Sequence, residues 1–243
     1  MSVNTRMANR EVCNLVFVEY ATKKPFLNAD YANVTTTELT GENVYAYGGW
    51  GHPRVVTFSG DRGGTISFET QITPFKLYSL MTGAELETTA DWVRRVEITA
   101  TTAGELALGS GVTAATVFTA ADDCGTALTG TISSGTFSAT GITVGTKYVA
   151  YCTETLENVQ KLSIKSTTFP KYFTVYGETK DKTDAGEEVL FRMIAYKCAP
   201  QPEFSIEMSN TGDPGSITVT CDLMEDTEND KKMLDMILIE GEG

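Results

Sequence analysis

Apolar and polar residues alternate with a period of two in several short segments, the spacing of strands with one buried face. Residues 54–58 (RVVTF) and 65–72 (TISFETQI) flank the glycine-rich stretch 59–64, a pattern that predicts a hairpin. Residues 204–208 (FSIEM) and 217–223 (ITVTCDL) flank 210–215 and predict a second. Residues 148–152, 162–166, 172–176 and 189–195 read as further strands. One helix is predicted: Thr73 as cap, Pro74 at the first helical position, residues 75–81 (FKLYSLM) as its body and Gly83 as a left-handed stop. Leu77, Leu80 and Met81 share one face of it. The tail 231–240 (KKMLDMILIE) fits a helix or a final buried strand, and the continuous apolar run 236–239 favours the strand.

Composition agrees with a mainly β chain. Threonine occurs 37 times and glycine 22 times, residues that favour strands joined by tight turns. With 243 residues, the chain suits one large domain or two small ones. Composition shifts near residue 97: from 97 to 146 there is no lysine or arginine. This block reads as short strands and turns, either a small β-sandwich inserted into the main domain or an elaborated part of one sandwich.

Charge and motif content narrow the function. Nineteen basic residues stand against 32 acidic ones, a net charge of −13, so no basic surface offers itself to nucleic acid or an anionic membrane. The N-terminal residues lack the apolar run of a secretion signal, and no window reaches the length of a membrane span. Cys13, Cys124, Cys152, Cys198 and Cys221 are widely spaced with no C-x-x-C; they read as reduced thiols, most of them small core residues, with one or two disulfides as the alternative. His52 is the only histidine and sits in a predicted loop, so neither a histidine triad nor a multi-histidine metal site is in view. No phosphate-cradling loop occurs. Asp222, Glu225, Asp226, Glu228 and Asp230 lack calcium-loop spacing and read as a solvated loop rather than a cation site. The expectation is no catalytic residue, no cofactor and no metal.

The polar faces of the predicted hairpin strands carry acids and no base. Glu69 lies with Thr65, Ser67 and Gln71; Glu207 with Ser205 and Ser209; Asp222 with Ser216, Thr218 and Thr220. An ordinary one-side-wet sheet explains polar outer faces, but usually mixes lysine with glutamate. The alternative is a surface that must not bind polyanions, such as the wall of a DNA conduit.

Residues 55–72, followed by 74–83, resemble the hairpin-then-helix of bacteriophage tail tube proteins. Residues 169–179 (FPKYFTVYGET), then 184–186 (DAG), then 189–194 (VLFRMI), with the closing 220–224 (TCDLM), are similar to the second half of that family. The resemblance covers roughly 10–95 and 165–240. It implies a β-sandwich or β-barrel core from 1–96 and 166–243 with one flanking short helix, and a β insertion or elaboration at 97–165. It further implies a virion structural protein: six subunits close into a ring, rings stack into a tail tube, and each subunit contributes strands to a continuous inner β-barrel. Glu69, Glu207 and Asp222 would then face the lumen, through which DNA passes without specific binding. The implied partners are further copies, a tape measure protein and, in a contractile tail, a sheath protein; assembly would occur in the host bacterial cytoplasm. The N-terminal residues 1–14 and a long polar loop at 29–51 are expected to order against neighbouring subunits, with Tyr45, Tyr47 and Trp50 as anchors or as plain local packing. Two other readings stay open: a different virion, fibre or immunoglobulin-like adhesion or decoration protein, and a carboxylate-based hydrolase.

Overall fold

The computed structural model describes residues 6–206, 208–212 and 214–239. The chain divides into two compact units, Met1–Glu85 with Ile164–Gly243, and Leu86–Ser163.

The first unit holds β1 (Met7–Asn9), β2 (Asn14–Glu19), β3 (Pro25–Ala29), β4 (Val34–Tyr47), β5 (Arg54–Thr70) and α1 (Phe75–Thr82). After the second unit come β12 (Phe173–Thr183), β13 (Glu188–Pro200), β14 (Ile217–Met224) and β15 (Leu234–Ile239). One antiparallel sheet runs β3-β2-β12-β13-β14-β5-β4, with β1 added to β12 and β15 to β13. β13 is the branch point. Its residues 190–195 pair with β15, and its residues 197–200 pair with β14. The sheet thereby splits into two leaves over one core. Leu15, Phe17, Phe173, Val175 and Ala195 enter from one leaf, Ile66, Phe68, Val219 and Cys221 from the other. Phe17 and Phe68 meet across them with ring centroids 5.7 Å apart. The core residues alternate with polar ones along each strand, which is why these segments were legible as strands.

The helix carries Leu77, Leu80 and Met81 fully buried against that core, as its apolar face requires. Its start differs from expectation. Pro74 occupies the cap position with extended backbone, and no side chain caps the helix, so Thr73 stands outside it. Gly83 ends it at φ 70°, donating its N–H to Ser79 O.

Five sequence expectations are corrected. Residues 54–70 form one strand, not a hairpin, and the turn lies at 48–53, where Gly49, Gly51 and His52 have positive φ. Residues 29–51 are therefore not a loose loop but contain the 14-residue β4, paired along β5. The glycines at 60–64 serve close approach instead of turning: a Cβ on Gly64 would stand 2.5 Å from Glu38 O. Residues 204–206 and 208 lie outside any strand, so β14 has β5 and β13 as neighbours. Only Leu162 of 162–166 is in a strand. At the N-terminus, Met7–Asn9 pairs with the chain's own β12, and the Asn9 amide bonds to Thr179 Oγ1, Lys180 O and Asp181 Oδ1.

The second unit contains β6 (Leu86–Thr99), β7 (Glu105–Ala107), β8 (Val112–Thr119), β9 (Thr131–Ser133), β10 (Thr136–Ser138) and β11 (Lys147–Leu162). Two three-stranded sheets, β6-β11-β8 and β7-β10-β9, share a core of Leu106, Val117, Phe137, Tyr148, Ala150 and Cys152. The buried Tyr148 hydroxyl donates to Gly141 O and accepts from Thr143 N–H, so its polar tip is satisfied inside. The compositional shift at Glu97 falls within β6, whose pairing with β11 begins at Leu86.

Candidate assembly surfaces

No group of three or more His, Cys, Asp and Glu among the described residues is placed to hold a metal. His52 is exposed in the β4–β5 turn, its backbone N–H bonded to Gly49 O.

The polar face of β4, β5 and β14 is built by register. Val34, Glu69 and Thr218 form one cross-strand row; Thr36, Ser67 and Thr220 the next; Glu38, Thr65 and Asp222 the third. Strands about 4.8 Å apart place Glu38 and Asp222 about 10 Å from each other. At that spacing two exposed charges repel by only about 0.4 kcal/mol in water, so a single subunit tolerates them. Glu69 is half-buried, Glu38 and Asp222 exposed, and Asp222 accepts a hydrogen bond from Gln201 Nε2 at 2.8 Å. Among the described residues none of the three carboxylates has a basic partner. The face thus unites Glu69 with Asp222 and adds Glu38, which the sequence did not single out. Glu207 lies outside the described residues.

The second surface is the distal part of the β4–β5 ribbon, residues 39–47 and 54–64. Val44 stands opposite Phe58 and Ala46 opposite Val56, so all four share one face. Val44 is 61% exposed and Phe58 57%. Tyr45 and Tyr47 lie on the other face, where the Arg54 guanidinium stands 4.0 Å from the Tyr45 ring centroid. Trp50 projects fully into solvent from the turn. A two-stranded ribbon with an apolar face is marginal alone in water and calls for a covering surface.

The loop between β14 and β15 is exposed as expected at Glu225, Glu228 and Asp230, with Asp226 as the exception. Asp226 is completely buried and accepts hydrogen bonds from Tyr20 Oη (2.7 Å), Asn229 Nδ2 (2.6 Å) and Glu228 N–H (3.0 Å). Burial pushes its carboxyl up, but these bonds outweigh burial and hold it below the usual carboxylate range. The expectation of a solvated acidic loop is corrected at this residue: three donors converge on it. Tyr196 Oη and Lys232 Nζ fix Asp235 in the same way, at 2.6 and 3.1 Å, anchoring the start of β15.

No curated protein matches the sequence. A family model described as the YomU/Tube protein family matches residues 10–237, nearly the whole chain, and the chain belongs to that family. The match supports a phage tail tube protein, a structural component of the virion tail. No helix among the described residues is long and apolar enough to cross a membrane.

Proposed function

We propose that this member of the YomU/Tube family polymerises as stacked hexameric rings into the tail tube, with the acidic face of β4, β5 and β14 turned to the lumen. The observation that carries the reading is the cross-strand grid of threonine, serine and unpaired carboxylate around Thr65 and Ser67. Such a wall repels phosphates and leaves a duplex free to slide, whereas lysines interspersed on it would hold the DNA by counterion release. The exposed ribbon supplies the second requirement, a surface that gains from association. Val44, Val56 and Phe58 bury against a neighbouring subunit, with Tyr47 and Trp50 as rim contacts. The tape measure protein occupies the lumen before DNA.

Negative-stain microscopy of the purified protein across a concentration series tests the reading. Hollow tubes or rings with six-fold end views are expected. Monodisperse subunits at every concentration, also after seeding with a tail baseplate, would contradict it.

A further inference from the structure

The two sheets of the unit Leu86–Ser163 end in the outer strands β6, β8, β7 and β9, and β11 runs on past β8, which pairs with it only as far as Glu154. β7 and β9 are three residues each. β8 is covered in part, since the Leu128 N–H bonds to Val117 O. The free stretch of β11 is interrupted by a bulge between Glu157 and Lys161, with Asn158 at φ 58°. Short length, cover and bulges keep an edge from pairing. β6 has none of these along residues 89–99. That stretch pairs regularly with β11, and among the described residues no backbone hydrogen bond joins it to anything else.

Trp92 and Val93 sit in the middle of that stretch. They are adjacent, so they point to opposite faces of the sheet, and they are 61% and 56% exposed. The charges around them are placed evenly: Asp91 lies two residues before Val93 and Arg95 two after. Asp91 accepts a hydrogen bond from Thr155 Oγ1 and has no basic partner among the described residues. Arg95 is held by Asp123 and Glu97, and Arg94 by Glu154.

We propose that two copies of the chain pair through β6, antiparallel about a two-fold axis at Val93. Val93 then stands opposite Val93 of the second copy, Asp91 opposite Arg95, Trp92 opposite Arg94 and Thr89 opposite Glu97, each of the last three twice. Neighbouring registers are worse. An axis between residues would join unlike faces. An axis at Arg94 would set Arg94 opposite itself and Asp91 opposite Glu97, and one at Trp92 would set Glu87 opposite Glu97. At Val93 the valine pair leaves water, each indole gains a guanidinium, and two rows of open backbone groups are satisfied. The contact is isologous and closes on itself, whereas the subunits of stacked rings all point one way along a tube. The pair is therefore a form of the unassembled chain, and it stands independently of the tube reading.

Sedimentation velocity at concentrations below tube formation tests the pair, and the wild-type chain is expected to run as a dimer. Val93→Asp and Val93→Lys each bring like charges together at the axis and should raise the dimer dissociation constant about tenfold or more. Val93 is exposed in the subunit, so both variants keep the fold. Mixing the two variants should restore the dimer as a heterodimer. Cross-linking provides a second arm. Val93→Cys in a Cys124→Ser background should give a disulfide-linked dimer with oxidised glutathione. Thr89→Cys in the same background, whose two copies would lie about 26 Å apart, should not. A wild-type chain that sediments as a monomer, or a mixture of the two charge variants that stays monomeric, overturns the pairing and leaves the tube reading standing. Equal cross-linking at 89 and 93 overturns the register and the pairing with it.

Discussion

Glu38 and Asp222 stand in one cross-strand row, each opposite Thr65 from its own side of β5. Neither residue can leave that row without a register slip, and a one-residue slip would turn Ile66 and Phe68 out of the core. The carboxylates are therefore placed by the same constraint that packs the interior. Replacing Glu38, Glu69 and Asp222 by lysine should leave the subunit folded, because their face is solvent-accessible in the subunit. Tubes assembled from the triple-lysine variant in the presence of short duplex DNA should retain it at low salt and release it as salt rises. Wild-type tubes should retain none, and co-sedimentation distinguishes the two.

The ribbon separates assembly from folding. Phe58→Ser combined with Val44→Thr removes exposed apolar area without touching the core, so chemical denaturation of the subunit should change by no more than about 0.5 kcal/mol. Sedimentation velocity should nevertheless show loss of assembly. A variant that assembles like wild type would remove the ribbon from the contact.

Phe17 is the opposite case. It is fully buried and touches Phe68 and Phe173, so it ties the two leaves together. Phe17→Ala should cost about 3–5 kcal/mol in urea unfolding, the sum of lost transfer and residual cavity.

Asp226 makes stability depend on pH. Its folded carboxyl titrates below the usual range, so its contribution is complete above the unfolded value near pH 4 and fades as pH falls through the folded one. Asp226→Asn should lower the melting temperature at pH 7 by about 5 °C or more. The gap to wild type should narrow as pH falls from about 4, where the unfolded carboxyl begins to bind its proton, through the lower folded value, where the wild-type carboxyl binds one too. Melting curves at stepped pH values check both statements.

All five cysteines are free thiols, and only Cys124 is exposed. Burial pushes Cys13 up to about 11 and Cys198 up to about 12, so neither forms thiolate at neutral pH. A thiol-specific chromogenic reagent at pH 8 should titrate one thiol in the native subunit and the other four only in denaturant.

The sequence was most readable where a strand buries one face. Ile66 and Phe68 alternate with Ser67 and Glu69, and Ile217, Val219 and Cys221 with Thr218 and Thr220, so both strands and both acids could be assigned from spacing. β4 defeated that logic because nearly all of it is exposed in the subunit: 34–40 reads VTTTELT, with no apolar rhythm to betray a strand. Glu38 was missed for this reason. The glycines at 60–64 misled in another way, since glycine marks a turn and a close backbone approach equally well, and only the contact of Gly64 with Glu38 O separates them. The apolar run of β15 reads as a strand and forms one, while its exposure in the subunit is not legible in the residues alone.

The most direct measurement is a cryo-electron microscopy reconstruction of assembled tubes, at a resolution that places strands and large side chains. The account predicts a six-fold channel whose wall carries Glu38, Glu69 and Asp222. Those three carboxylates on the outer surface or within a subunit interface would contradict it.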